Sequence, residues 1–165
     1  MRLGLIVVFV LSLVTSAVGY VMLPAEVASH FGPGGQPDDW TAKGFFTVML
    51  VLIDVLMFAM FYWSPLLLDK VDRRFLSLPN REYWLTDERL PAAAEKLARF
   101  MGEFGIATFY LLIYAKIATI QANLAENPGL RENVFVWVIF VYMAYTVVWC
   151  VRLVMAYRIP TGETS

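Results

Sequence analysis

Two ionisable side chains inside long apolar runs are the first candidates for chemistry in this chain of 165 residues. Asp54 and Lys116 are costly in hydrocarbon unless they are paired or hydrated. At 1.5 Å per residue their depths differ by only about 6 Å, which the flexible lysine stem can cover. We therefore expect the two to pair, either as structural glue between helices or as a relay for protons or ions.

Glu103 and Arg152 form a second expected pair, at similar depths near the other side of the membrane. Tyr145 and Trp149 precede the arginine at helical spacing, so both rings share its helix face. They are therefore predicted cation–π neighbours of the guanidinium. Structural glue and a functional role both remain open for this pair.

The chain's only histidine, His30, lies in a polar segment between two apolar runs. Histidine changes charge near neutral pH, and Glu26, Asp38 and Asp39 supply carboxylate oxygens nearby. One hypothesis is therefore an external metal or pH-sensing site, and the alternative is a hydrogen-bonded structural residue. Because a single histidine is a weak ligand set for zinc, we predict no bound metal and no cofactor.

The same polar segment, residues 24–43, is the predicted recognition surface. It is longer than a hairpin turn requires, and its Gly and Pro residues fix tight reversals. Loops held by packed elements commonly carry function. Trp40 and Lys43 also suit an interfacial anchor, with the ring at the headgroups and the ammonium toward water. The candidate recognition residues are His30, Asp38, Trp40 and Lys43.

The runs that position these residues are predicted transmembrane helices. Hydrophobic residues make up 59% of the chain and charged residues 16%, whereas soluble domains have about 45–50% and about 25%. Each run is close to the roughly 20 residues that cross about 30 Å of hydrocarbon. We predict an all-α fold, an integral membrane four-helix bundle forming one domain over residues 1–165. The predicted spans are 3–23, 44–66, 100–122 and 134–157.

The basic residues indicate the orientation of the helices. Seven of the thirteen lie between the second and third spans, whereas the first loop has only Lys43 and the third only Arg131. The positive-inside rule then places loop 67–99 and both termini in the cytoplasm, and loop 24–43 outside. We expect a multi-pass protein of the inner cell membrane. Topology and anionic lipid headgroups explain the basic loop without nucleic acid.

The cytoplasmic loop has a helical pattern of its own. The run Thr86-Asp87-Glu88 is typical of a helix start. We predict an interfacial amphipathic helix that runs into the third span, as a lipid-surface helix or as a docking site for a cytoplasmic partner. The apolar positions that recur at helical spacing are Leu90, Ala94, Leu97 and Met101.

Two stretches of the chain resemble a bacterial membrane domain of unknown function. The same domain forms the N-terminal part of the immunity protein against the sporulation-delaying toxin. The resemblance implies an integral membrane protein with a regulatory or protective role and no established catalytic residues. The first stretch contains Leu23-Pro24, His30-Phe31, Gly35, Asp38, Trp40 and Lys43, and the second, Leu78 to Leu85 (LPNREYWL), resembles the four-span branch.

No catalytic constellation is evident in the sequence. The serines lack a histidine on the same side, no HExxH occurs, and the Gly-rich segment lacks a P-loop lysine. We predict a non-enzymatic membrane protein with a regulatory, sensing or immunity-like role. Its partners would be the lipid bilayer and another membrane protein or an extracytoplasmic peptide. The alternative is a small transporter or transporter subunit with Asp54 and Lys116 as its relay, and an enzyme built on His30 ranks third.

Overall fold

The computed structural model describes residues 1–67, 70 and 72–160. Four of its helices are long and apolar enough to cross a membrane. They are α1 (Arg2–Met22), α2 (Lys43–Trp63), α4 (Leu90–Leu124) and α5 (Glu132–Ala156). Besides three short 3-10 helices, the described residues also form strands β1 (Glu26–Phe31) and β2 (Pro37–Ala42) and the short helix α3 (Arg81–Trp84).

Helices α1, α2 and α4 pack against one another, and α5 packs against α4. Leu5, Phe61 and Phe109 are buried where α1, α2 and α4 meet. The outward faces are apolar as well; Trp137 on α5, for example, is 70% exposed. A helix that is apolar all round is typical of a membrane span.

The segment between α1 and α2 is a two-stranded antiparallel hairpin, so the prediction of an all-α fold is wrong there. Ala28 lies opposite Trp40, and the register shifts on both sides of His30. Proline lacks a backbone donor, and the Gly-rich tip favours reversal over helix, so pairing between strands satisfies this backbone. The side chains of Val27 and Ala28 are completely buried.

A side chain of α4 fixes the middle of the hairpin. The backbone N–H of Ala28 donates to Asn123 Oδ1 at 2.7 Å, and Asn123 Nδ2 donates back to the Ala28 carbonyl at 3.2 Å. The asparagine amide therefore pairs with the strand as a neighbouring peptide group would. This contact joins the hairpin to a helix far away in sequence.

The tip of the hairpin is tied to the start of α5. The Gly34 N–H donates to Glu132 Oε2 at 2.8 Å, and the Leu130 N–H donates to the Gly35 carbonyl at 2.8 Å. We call these two hydrogen bonds the outer latch. Gly35 has φ +72° and is buried, so it permits both the turn and the close approach of the α4–α5 linker.

The end of α5 is held at the opposite end of the bundle. Trp84 Nε1 and Asn80 Nδ2 both donate to the Tyr157 carbonyl, at 2.8 and 2.9 Å, and Lys96 Nζ donates to the Ala156 carbonyl at 2.6 Å. These side chains satisfy carbonyls that a helix end otherwise leaves without partners. We call this group the inner clasp. It is built largely from the LPNREYWL stretch.

The start of α4 is helical as predicted, but its apolar side packs against protein. The helix does run into the third span without a break, starting at Leu90. Its apolar positions Leu90, Ala94 and Leu97 pack against the cluster formed by Trp84 and Tyr157. They therefore cover a protein core, where the sequence suggested a lipid surface.

The outer latch predicts a difference between two adjacent glycines. A Cβ at Gly35 would lie 2.1 Å from the Leu130 carbonyl oxygen, whereas a Cβ at Gly34, which has φ +83°, meets nothing within 4 Å. Gly34→Ala should therefore cost only backbone strain, about 1–2 kcal/mol. Gly35→Ala should cost clearly more, because the linker must also move. Thermal unfolding of both variants in detergent measures this, and equal losses would contradict the latch.

Candidate functional site

Asp54 and Lys116 are paired in the middle of the bundle. Lys116 Nζ lies 2.5 Å from Asp54 Oδ2, and the residues are 4% and 0% exposed. Asp54 belongs to α2 and Lys116 to α4, so the ion pair joins two helices. A charged pair this deeply buried needs further hydrogen bonds to offset its desolvation.

Two serines of α1 supply those hydrogen bonds. Lys116 Nζ donates to Ser12 Oγ at 2.8 Å and to Ser16 Oγ at 2.9 Å. Ser12 Oγ in turn donates to Asp54 Oδ1 at 2.9 Å, and Ser16 Oγ donates to the Ser12 carbonyl at 3.2 Å. All three ammonium hydrogens thus have acceptors. We call these four residues the buried polar network.

The role of the two serines as hydrogen-bond partners of Lys116 was not predicted from the sequence. The i, i+4 spacing of Ser12 and Ser16 places both on one face of α1 and suits close helix packing. The same spacing would also let two hydroxyls reach one ammonium group. Only the position of Lys116 on a distant helix decides between these interpretations.

The buried polar network is closed within the part of the chain that the structure describes. The crevice between α1 and α2 that reaches Lys116 holds about 10 Å³ of free volume. A water molecule needs at least about 10–15 Å³. Thr15, Tyr20 and Thr47 contribute to the walls of this crevice. The geometry suits a structural junction of three helices more than an open path for protons.

Glu103 and Arg152 also lie together. Arg152 Nη2 is 3.1 Å from Glu103 Oε2, with the side chains 49% and 20% exposed. The predicted cation–π contacts of Arg152 are wrong, because its guanidinium lies over the Phe100 ring, 5.6 Å from the centroid. Trp149 and Tyr145 instead donate hydrogen bonds to the carbonyls of Phe100 and Glu103. The side chain of Arg152 thus extends toward α4 and contacts Glu103 there, and its ring contact is also with a residue of α4.

His30 and Asp38 form an exposed pair on the hairpin. His30 Nδ1 lies 2.5 Å from Asp38 Oδ1, and the two side chains are 69% and 49% exposed. Trp40 is also about half exposed. These three candidate recognition residues are therefore open to a ligand. Beside the pair is a cleft of about 380 Å³, lined also by Phe31 and Glu132.

Lys43, the fourth candidate recognition residue, is used by the fold. Its ammonium donates to the Leu23 carbonyl at 3.2 Å and lies 5.1 Å from the centre of the Tyr20 ring. It therefore caps the end of α1, whereas the sequence suggested an ammonium directed toward water. For Trp40, the interfacial anchor stays a prediction.

The carboxylates near His30 are not arranged as a metal centre. Across residues 1–67, 70 and 72–160, no group of three or more His, Cys, Asp or Glu side chains could hold a metal ion. Asp39 accepts a hydrogen bond from Ser29 Oγ at 3.2 Å. The chemistry available at the hairpin is therefore that of one imidazole–carboxylate pair beside an aromatic ring.

Comparison with known families finds a match to the first third of the chain. Residues 7–55 match a family described as a domain of unknown function, DUF1648. The match covers most of α1, the whole hairpin and half of α2, and so includes Ser12, His30 and Asp54. Lys116 lies outside it. No curated protein and no solved structure matches the chain.

The buried polar network predicts strong coupling between Asp54 and Lys116. Asp54→Leu leaves a buried ammonium without its counter-ion and should cost about 3–5 kcal/mol of stability. The double change Asp54→Leu with Lys116→Leu should cost less than the single change, since it removes both charges. A double-mutant cycle on thermal stability in detergent measures the coupling.

The Glu103 and Arg152 pair is the matched control for this cycle. Because both side chains are partly exposed, their coupling should be about 1 kcal/mol or less. Additive losses at Asp54 and Lys116, or equal coupling in the two pairs, would contradict the closed network.

Proposed function

We propose that this chain is a non-enzymatic integral membrane protein that recognises another membrane protein or an extracytoplasmic peptide through its hairpin. The role would be regulatory, sensing or immunity-like. The observation that carries the proposal is the exposed His30–Asp38 pair on a hairpin that the rest of the fold holds in place. The match of residues 7–55 to a domain of unknown function is compatible with it.

Rigidity of the hairpin supports a recognition role. Asn123 fixes its middle, and the outer latch fixes its tip. Side chains presented by a preorganised backbone lose less entropy on binding. Trp40 adds a large aromatic surface of the kind that dominates binding energy at interfaces.

The proposed orientation places the hairpin outside the inner cell membrane and both termini in the cytoplasm. Seven of the thirteen Lys and Arg residues lie between α2 and residue 100. Such a bias is typical of a cytoplasmic loop. The hairpin end has mainly carboxylates, and one of its two basic residues, Lys43, is used to cap α1.

The alternative function, a small transporter or transporter subunit, has one observation in its favour. An ion pair in the middle of a membrane bundle is a common mark of a transport pathway. The closed hydrogen bonding of Lys116 and the small crevice beside it weigh against a relay. Proton or ion flux into proteoliposomes that is lost in Asp54→Asn would favour the transporter.

The recognition proposal predicts that the hairpin pair can be removed without unfolding the protein. His30→Ala with Asp38→Asn removes an exposed pair, so thermal stability should change little while partner contact is lost. A photo-crosslinking residue at Gln36, in cells of the source organism, should give a crosslinked species in the native chain and none in this variant.

The control for this experiment is Ser29→Ala, which removes a different exposed hydrogen bond of the hairpin. Crosslinking should persist in that variant. If the His30 and Asp38 changes mainly unfold the protein, the hairpin is a structural clasp and the transporter becomes the better explanation.

The proposed orientation predicts the labelling pattern of two exposed positions. In a background with the native thiol removed by Cys150→Ala, a cysteine at Gln36 should react with an impermeant reagent added outside intact cells. A cysteine at Ser77 should react only after the cells are opened. The reverse pattern would place the hairpin in the cytoplasm.

A further inference from the structure

A cleft opens between α4 and α5 at the hairpin end of the bundle. Its volume is about 470 Å³, within the range of small-molecule sites. Ile117, Ala118 and Val134 give it an apolar wall, whereas Gln121 and Arg131 add polar groups. The cleft is thus amphipathic and lies between two helices that are long enough to span a membrane.

Arg131 is the unexplained group in this cleft. Within the part of the chain that the structure describes, its guanidinium has no ion pair and no side-chain hydrogen bond. Its sequence neighbour Glu132 forms no ion pair with it in the described residues, and that carboxylate accepts the Gly34 N–H of the outer latch. The other basic residue at this end, Lys43, is bonded to a carbonyl.

The position of Arg131 indicates what would pair with it. Helix α5 has 25 residues, which at 1.5 Å each is about 37 Å, longer than the roughly 30 Å hydrocarbon core. Arg131 directly precedes this helix, so in a bilayer it lies at the depth of the lipid headgroups. The anion available at that depth is the phosphate of a lipid headgroup. The acyl chain of the same lipid would lie against the apolar wall of the cleft.

We propose that the cleft between α4 and α5 binds one anionic phospholipid, with Arg131 contacting the headgroup phosphate and Ala118 and Val134 contacting the acyl chain. Charge complementarity favours an anionic over a zwitterionic headgroup. The site is separate from the His30–Asp38 pair and does not depend on the orientation of the protein.

Native mass spectrometry of the full chain released from nanodiscs tests this site. The probes are dioleoyl phosphatidylglycerol and dioleoyl phosphatidylcholine. Arg131→Gln should reduce the apparent affinity for one retained phosphatidylglycerol by about fivefold, since one arginine near an anionic headgroup contributes about 1 kcal/mol. Arg131→Lys should retain most of the binding.

Two further variants make the result specific. Arg158→Gln, an exposed arginine at the opposite end, is the matched charge control and should leave this tightest phosphatidylglycerol in place. Ala118→Phe keeps the charge but fills the cleft, and should displace the lipid while the protein remains folded by thermal unfolding. Equal effects of Arg131→Gln and Arg158→Gln, or no effect of Ala118→Phe, would overturn the site.

A last arm distinguishes the lipid from a free anion. Glycerol 1-phosphate and inorganic phosphate at millimolar concentration should not displace the phosphatidylglycerol, because they lack the acyl chain that the apolar wall contacts. Displacement by either compound would reduce the site to a surface anion contact and overturn the proposal. Equal retention of phosphatidylcholine would also overturn the proposal, since Arg131 would then not select a lipid by the net charge of its headgroup.

Discussion

The arrangement of α1, α2 and α4 depends on the ion pair and hydrogen bonds of the Lys116 ammonium. It contacts Asp54 of α2 and two serines of α1 from its own place on α4. In a membrane, apolar surface gives helices little preference for one another over lipid, so polar contacts and close packing decide which faces meet. One buried cation therefore sets the register of α1, α2 and α4 together. The hairpin, which connects α1 to α2, inherits its position from this junction.

Helix α5 is held in a different way. Trp149 is its only buried residue among those described, and its ends are fixed by the outer latch and the inner clasp. Both ties are hydrogen bonds to the segments that connect the long helices, at Gly34 on one side and at Asn80 and Trp84 on the other. The loops of this protein are thus structural parts of the bundle. Lys43, one of the four candidate recognition residues, is likewise used by the fold, because it caps α1.

Local patterns in the sequence were sufficient for the four long helices and for the meeting of Asp54 with Lys116, because hydropathy and depth are nearly one-dimensional properties. They were insufficient for the hairpin, whose short strand is completed by Asn123, 95 residues away from Ala28. They also failed for the surroundings of Arg152, because its ring contact is made with Phe100 of α4, and spacing along α5 does not give which residues of a neighbouring helix lie beside it. Features that depend on contacts between residues far apart in the sequence could not be predicted from local patterns.

The two candidate sites differ most in their access to other molecules. The charges in the middle of the bundle are paired with one another, and moving a proton along them would require breaking a hydrogen bond of Lys116. The crevice beside it holds only about 10 Å³, at the lower limit for one water molecule. The His30–Asp38 pair is open to solvent, so a ligand can reach it without moving a helix. Recognition at the hairpin therefore requires little rearrangement, whereas transport would require a second conformation of the three helices that Lys116 joins.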